Sequence, residues 1–254
     1  MKVIILAAGY ATRLYPLTLD TPKPLLQVGG KAILEHILEK IKEIKSVSKI
    51  FVVTNDKFYD HFRKWKKEFT FSVPISILND GTKTNEDRLG AVGDIDFVLQ
   101  KENIDEDTLI IAGDNLFGFS LVSFVDYFEQ AGKNSVVAFR DVGNIEKVRG
   151  KFGVALVNAE SKIIDFEEKP MMPKSSLAST ACYLFSKDDL HMIPALRANG
   201  KADNPGDLIK WLVDNSVVKG FMFTEHWFDV GTLELLKEAD EMYSCKSVVT
   251  KVLR

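Results

Sequence analysis

The chain has 254 residues, 46% hydrophobic and 27% charged, with 33 basic against 36 acidic side chains and a net charge of −3. Such a composition belongs to a globular protein with a sizeable core, and it excludes long disorder and any broad attraction to nucleic acid or anionic membrane. Cys182 and Cys245 stand far apart without a C-x-x-C, and His36, His61, His191 and His226 lack ligand spacing, which argues against a disulfide framework and a zinc site; any metal should have oxygen ligands.

In chain order, Val3 to Leu6 is an apolar run too short and too β-branched for a helix, and it ends in Ala7, Ala8 and Gly9. It reads as a buried strand entering a tight loop. It is also shorter than the core of a signal peptide, about 7 to 15 residues, and no run reaches membrane-span length, so the expected location is cytoplasmic. From Ala32 to Ile44 apolar residues fall at three- and four-residue steps between charges, the pattern of an amphipathic helix. A strand at 49–53, a helix carrying Phe58, Phe62 and Trp65, a strand at 75–78, a helix over 89–99 and a strand at 108–112 repeat the alternation. The second half is richer in strands, at 135–139, 153–157, 163–166, 180–185 and 217–223, with helices at 187–197, 207–214 and 232–243.

Alternating strands and helices predict one α/β domain over residues 1–254, a Rossmann-like three-layer αβα sandwich around a mixed, mostly parallel sheet. Ligands of such sheets sit beyond the carboxyl ends of the strands, where both the loop after Leu6 and Asp114 lie. The small residues of that loop let backbone N–H groups approach a ligand closely, and phosphate oxygens are the usual one. Arg13 adds a charged fork of donors, and Lys23, between two prolines, adds a point charge on a stiffened segment. The run is neither a P-loop nor a G-x-G-x-x-G fingerprint.

The stretch LAAGYATRL followed by PKPL resembles the triphosphate-binding signature of the sugar-phosphate nucleotidylyltransferases. Further resemblances follow in family order: Gly113-Asp114-Asn115 to G-D-[NH], Lys151-Phe152-Gly153-Val154 to [RK]-[YF]-G-V, Phe166 to Pro170 to [FV]-x-E-K-P, and Trp227 to Thr232 to W-x-D-[VIT]-G-T. One position departs: Ala11 replaces the second loop glycine, and alanine is penalised there if the loop needs φ > 0.

The resemblance implies a nucleotide-diphospho-sugar transferase fold and an enzyme that joins a nucleoside triphosphate to a sugar 1-phosphate with loss of pyrophosphate. It implies Arg13, Lys23 and Asp114 as catalytic residues, and Leu6, Ala7, Ala8, Gly9, Thr12, Asn79 and Gly90 around the nucleotide. Gly153, Glu168, Lys169 and Thr180 would hold the sugar phosphate, and Asp114 with Asp229 would hold Mg²⁺, whose preference for oxygen ligands and phosphates suits two carboxylates. No nucleic acid or membrane partner is implied, self-association stays open, and no hexapeptide repeat of a left-handed β-helix domain follows.

Taken singly, the residues have plainer readings. A strand-end aspartate such as Asp114 commonly forms a turn, Asp229 could favour the start of the last helix, Glu167-Glu168-Lys169 could be a solvated strand end, and Arg88 suits a solvated loop charge. Asp94-Ile95-Asp96 has the D-x-D spacing of a glycosyltransferase but falls within a helix pattern. A catalytically silent nucleotide-sugar sensor or assembly subunit is the alternative function, though it should have lost the charged residues retained here.

Overall fold

A computed structural model of the chain describes residues 1–198 and 204–252. β1 (Lys2–Leu6) leads through the small-residue loop and two short 3-10 turns to a ribbon of β2 (Gln27–Val28) and β3 (Lys31–Ala32), then to α1 (Ile33–Ile41). β4 (Lys49–Thr54), α2 (Tyr59–Glu68), β5 (Ile75–Asn79), α3 (Gly90–Glu102) and β6 (Thr108–Ala112) continue the expected alternation. β1 pairs in parallel with β4 on one edge and β6 on the other, and β5 extends the sheet beyond β4.

This central place explains the unbroken apolar run of β1, because a strand covered on both faces has no polar side. Side-chain parity then sorts the layers. Val3, Ile5, Ile50, Val52 and Leu109 pack on one face with Leu34, Ile37 and Ile41 of α1 and Phe62 of α2. Ile4, Phe51, Val53 and Ile110 pack on the other with Val92, Ile95 and Val98 of α3. These are the three layers that the pattern predicts.

Beyond β6 come β7 (Asn115–Phe117), α4 (Leu121–Gln130), β8 (Val136–Asp141), β9 (Gly153–Val157), β10 (Ile163–Glu168) and β11 (Leu177–Phe185). Then α5 (Lys187–Leu190), α6 (Ile193–Ala198), α7 (Pro205–Asn215), β12 (Lys219–Phe223), β13 (Trp227–Asp229) and α8 (Leu233–Val252) follow. The helix expected over 187–197 is in fact two, α5 and α6. The sequence reading also lacks α4, whose Leu121, Phe124, Val125 and Phe128 are buried at helical spacing, with Ser120 capping it by accepting from Ser123 N–H at 3.3 Å. Its aromatic and β-branched content hides the helix among strand-like signals.

The sheet is mixed and forks at β11. The carboxyl half of that strand pairs antiparallel with β6, while Ala178 nearer its start pairs with Val154 of β9 on the same edge; β8 runs along the other edge. Its register with β8 shifts between Ser179 and Tyr183, and Ala181 there is left-handed at φ 52°. The bulge opens where β6 ends, so the gap between β6 and β9 becomes the floor of a cleft.

Candidate active site

The loop after β1 is fixed from beneath. Ala7 N–H donates to the Val53 carbonyl at 2.8 Å, buried Asn55 donates to the Ala8 carbonyl at 2.8 Å, and Thr18 Oγ1 donates to the Ala11 carbonyl at 2.8 Å. Among the described residues, the N–H groups of Gly9, Tyr10 and Ala11 have no acceptor. The loop therefore holds unpaired backbone donors on a tethered base, with Gly9 and Ala11 lining a cavity, as an anion-binding nest requires. Ala11 takes φ 49°, ψ 42°, the left-handed conformation that the family's glycine accommodates without strain.

Asp114 follows Gly113, whose N–H donates to the Leu6 carbonyl at 2.8 Å, so the end of β6 lies directly on the mouth of the β1 loop. A two-stranded ribbon supplies the second aspartate: β13 pairs antiparallel with β7, setting Asp229 opposite Asn115. Buried Asn115 clamps the assembly, donating to the Thr180 carbonyl in the β11 bulge and accepting from Trp227 Nε1 at 3.1 Å.

Between the carboxylates stands buried Lys23, its Nζ 2.6 Å from Asp114 Oδ2 and 3.8 Å from Asp229 Oδ1. Burial and then the Asp114 charge push the Asp229 carboxyl above its usual range, against the opposing pull of Lys23, Arg13 and Lys169. Among the described residues no group of three or more His, Cys, Asp and Glu side chains forms a metal-ligand set. Two adjacent carboxylates that already attract a cation are the donor set expected of a Mg²⁺ site completed by phosphates and water, so the residues fit that ion.

Two cavities meet over this pair. One, of about 350 Å³, is lined by Leu6, Ala7, Ala8, Gly9, Gly90 and Asp94 among others. The second, of about 280 Å³, is lined by Gly153, Glu168, Thr180, Tyr183, Gly206 and Asp229 among others. Arg13, Ala112, Asp114, Ala181 and Pro205 line both. The Arg13 guanidinium lies against Gly231.

Glu168 enters the second cavity between two glycines. A Cβ on Gly206 would fall 2.1 Å from Glu168 Oε2, and one on Gly153 would fall 2.9 Å from the same atom. Burial raises the Glu168 carboxyl above its ordinary value, with Lys169 Nζ 3.5 Å away opposing the shift.

Of the residues singled out in the sequence, Arg13, Lys23, Asp114 and Asp229 converge, with the small residues of the β1 loop and Gly90 on one side and Gly153, Glu168 and Thr180 on the other. Thr180 Oγ1 itself is spent on the Ala138 carbonyl. Lys169 is exposed beside Glu168, with its charge felt at Asp229. Thr12 and Asn79 line neither cavity; the Asn79 amide donates to Asp56 at 2.7 Å and accepts from Gly81 N–H at 2.8 Å. Arg88, read as a solvated charge, is exposed and bonded to the Asn85 carbonyl, yet it also lines the first cavity.

The sequence reading missed Pro205 and Gly206 at the start of α7 and did not place Asp94 in the site. The signal for Asp94 is an acid set among the apolar residues Val92, Ile95 and Val98. The D-x-D alternative finds no support in geometry. Asp96 turns away to Gln100 at 2.7 Å and Arg197 at 2.9 Å, and only Asp94 faces the cavity.

Comparison with known proteins places these features in context. Residues 2–245 match the nucleotidyl transferase family. The bifunctional protein GlmU of Methanocaldococcus jannaschii is 32% identical over 235 residues, which are 91% of this chain and 51% of that protein. A putative mannose-1-phosphate guanyltransferase of Sulfolobus acidocaldarius is 28% identical over 233 residues, 91% of this chain and 60% of that one. The chain thus spans about half the length of the curated GlmU relatives it matches. Among solved structures, a putative glucose-1-phosphate thymidylyltransferase from Bacillus anthracis superposes with a TM-score of 0.79 at 27% identity, covering 96% of this chain and 95% of that one. A UDP-glucose pyrophosphorylase complexed with UDP-glucose superposes at 0.80 with 21% identity over 96% and 98% of the two chains, a likeness of fold. No helix among the described residues is long and apolar enough to cross a membrane.

Proposed function

Because this chain belongs to the nucleotidyl transferase family, we propose that it transfers a nucleoside monophosphate from a nucleoside triphosphate to a sugar 1-phosphate, releasing pyrophosphate and forming a nucleoside-diphosphate sugar. The observation that carries the reading is the meeting of two cavities over Arg13, Asp114 and Lys23, one walled by the backbone nest and the other by Glu168 and Gly153. The names of the guanyltransferase and thymidylyltransferase relatives support a sugar 1-phosphate as acceptor.

A sugar 1-phosphate oxygen attacks the α-phosphorus, the bond to the bridging oxygen breaks, and pyrophosphate leaves in line. Two anions must be brought together. At 4 Å and an effective dielectric near 20, each like-charge pair costs about 4 kcal/mol, so cations have to line the approach. Arg13, at the junction of the cavities, draws charge from the leaving β- and γ-phosphates. Lys23 reaches the α-phosphate from the floor, and Lys169 steers the incoming phosphate from the rim. The nest orients the triphosphate, and Glu168 accepts from sugar hydroxyls. The attacking oxygen is already ionised, so no general base is required, and catalysis is positioning with charge stabilisation. Members of the family generally use a divalent metal; Asp114 and Asp229 would hold Mg²⁺, which when bound neutralises phosphate charge.

The test is pyrophosphate release by the purified protein with magnesium, across the common nucleoside triphosphates and several sugar 1-phosphates. Release with at least one pair, with the matching nucleotide sugar formed, is expected. Silence across the panel with retained binding of nucleotide sugars would establish the sensor alternative instead.

A further inference from the structure

The first cavity holds a polar group that the mechanism above leaves unused. Asp94 lies one helical turn beyond Gly90 in α3, lines the same cavity and is only 6% exposed. Its Oδ1 and the Oδ2 of Asp80 are both buried without a hydrogen-bond partner among the described residues. Asp80 is fixed from its far side, where Oδ1 accepts from Thr82 N–H at 2.7 Å and Thr82 Oγ1 at 2.8 Å. The two carboxyl groups act on one another, and two acids this close disfavour both being ionised, which favours a proton on one of them.

Burial first, then the Asp80 charge, push Asp94 up to about 8, with Arg197 pulling the other way, so Asp94 holds its proton at neutral pH. Oδ1 is the buried oxygen of Asp94, and the residue lines the cavity. With the proton on the buried Oδ1, the other Asp94 oxygen is an acceptor toward the cavity. The amide expected to read the base, Asn79, is bonded elsewhere, to Asp56 and Gly81.

An amide presents a donor beside an acceptor and suits the edge of uracil or thymine. An acceptor-only group repels the carbonyls that flank the N3–H of those bases, and it repels the lone pair next to the amino group of adenine or cytosine. Guanine is the base whose pairing edge sets two N–H donors side by side, at N1 and N2. It is also a two-ring base, and so reaches deeper than a pyrimidine. Resting on the reading of this cavity as the nucleobase site, we propose that Asp94, held in place by Asp80, reads the base and selects a guanine nucleotide.

Calorimetric titration of the intact protein with GTP, ATP, UTP and dTTP in the presence of magnesium tests this without turnover. The expected result is a Kd for GTP at least tenfold below the others, a gap that Asp94→Asn closes to threefold or less while the Kd for pyrophosphate stays unchanged. Asp80→Asn, which leaves Asp94 in place but alters its neighbouring acid, should narrow the gap less. A pyrimidine triphosphate bound as tightly as GTP by the unaltered protein overturns the proposal, as does a gap that Asp94→Asn leaves intact. The two readings fail separately. A GTP preference that follows Asp94 without pyrophosphate release removes the transferase and keeps the reader; release with UTP or dTTP alone does the reverse.

Discussion

Lys23 Nζ stands 2.6 Å from Asp114 Oδ2, although 91 residues separate them in the chain. The contact joins the stiffened segment after the β1 loop to the end of β6, and with Asp229 beside it one ammonium faces two carboxylates. Charge of both signs is thereby held at the junction of the two cavities before any ligand arrives. Removing Asp114 leaves the buried Lys23 charge less compensated and, on the proposed function, takes away one of the two carboxylates that would hold the metal. Asp114→Ala, and Arg13→Ala at the same junction, should each lower kcat by about a hundredfold or more, as lost transition-state contacts do elsewhere. Steady-state pyrophosphate release measures it, and near-normal turnover in either variant would remove the assigned role.

Asp229 carries the opposite implication for stability. Its carboxyl is held above its ordinary range by burial and by Asp114, so ionising it costs more in the fold than in the unfolded chain. Asp229→Asn should therefore raise the melting temperature at pH 7 while abolishing turnover, by less than about 1 kcal/mol once solvent screening is counted. A lowered melting temperature would show that Lys23, Arg13 and Lys169 outweigh the repulsion.

The left-handed alanine is a second stored cost. At φ 49°, Ala11 bears a penalty of roughly 1 kcal/mol that glycine avoids, partly offset by glycine's greater freedom when unfolded. Ala11→Gly should raise unfolding free energy by about 0.5 kcal/mol in urea titrations. An unchanged or lowered midpoint would mean that the alanine methyl makes a compensating contact.

Gly206 and Glu168 share space that a methyl group cannot enter. Gly206→Ala must push the Glu168 carboxyl out of the second cavity, and a displacement of this size in a positioning group costs about tenfold or more. The KM for sugar 1-phosphate should rise by that factor, with the KM for nucleoside triphosphate within about twofold. Equal rises in both would indicate a general disturbance.

Stability should also depend on pH through Asp94, which faces Asp80 and the Arg197 charge. Its carboxyl titrates near its ordinary value when unfolded and at about 8 when folded. Between those values the folded state binds the extra proton, so stability is greatest at acid pH, falls as pH rises from about 4 to about 8, and levels beyond. One proton contributes at most about 1.4 kcal/mol per pH unit. Denaturant unfolding at pH 5, 6.5 and 8 should show a steeper decline for the unaltered protein than for Asp94→Asn. Parallel profiles would place the proton elsewhere.

The alternation of β1 through β6 is legible in the sequence because each element there writes its own period, unbroken apolar for covered strands and three-to-four stepping for α1. The convergence of Asp114 and Asp229 is legible only as paired motifs. No local pattern announces that β13 will lie against β7 or that Asn115 will clamp Trp227. Asn79 misleads for the same reason: a side chain's chemistry is visible in sequence, but its prior engagement with Asp56 and Gly81 is not. Asp94 and Gly206 stay hidden because the first matters through a cavity wall and the second through the space it leaves empty.

The β7–β13 ribbon has a consequence for synthesis. Every strand of the large sheet is complete once the ribosome has passed Phe223, yet Asp229 has still to follow. A chain arrested between those points could assemble its sheet and its anion-holding loop while lacking one of the two acids. Such fragments would lack the full carboxylate pair, and the candidate site would be completed in one step only when β13 follows the sheet.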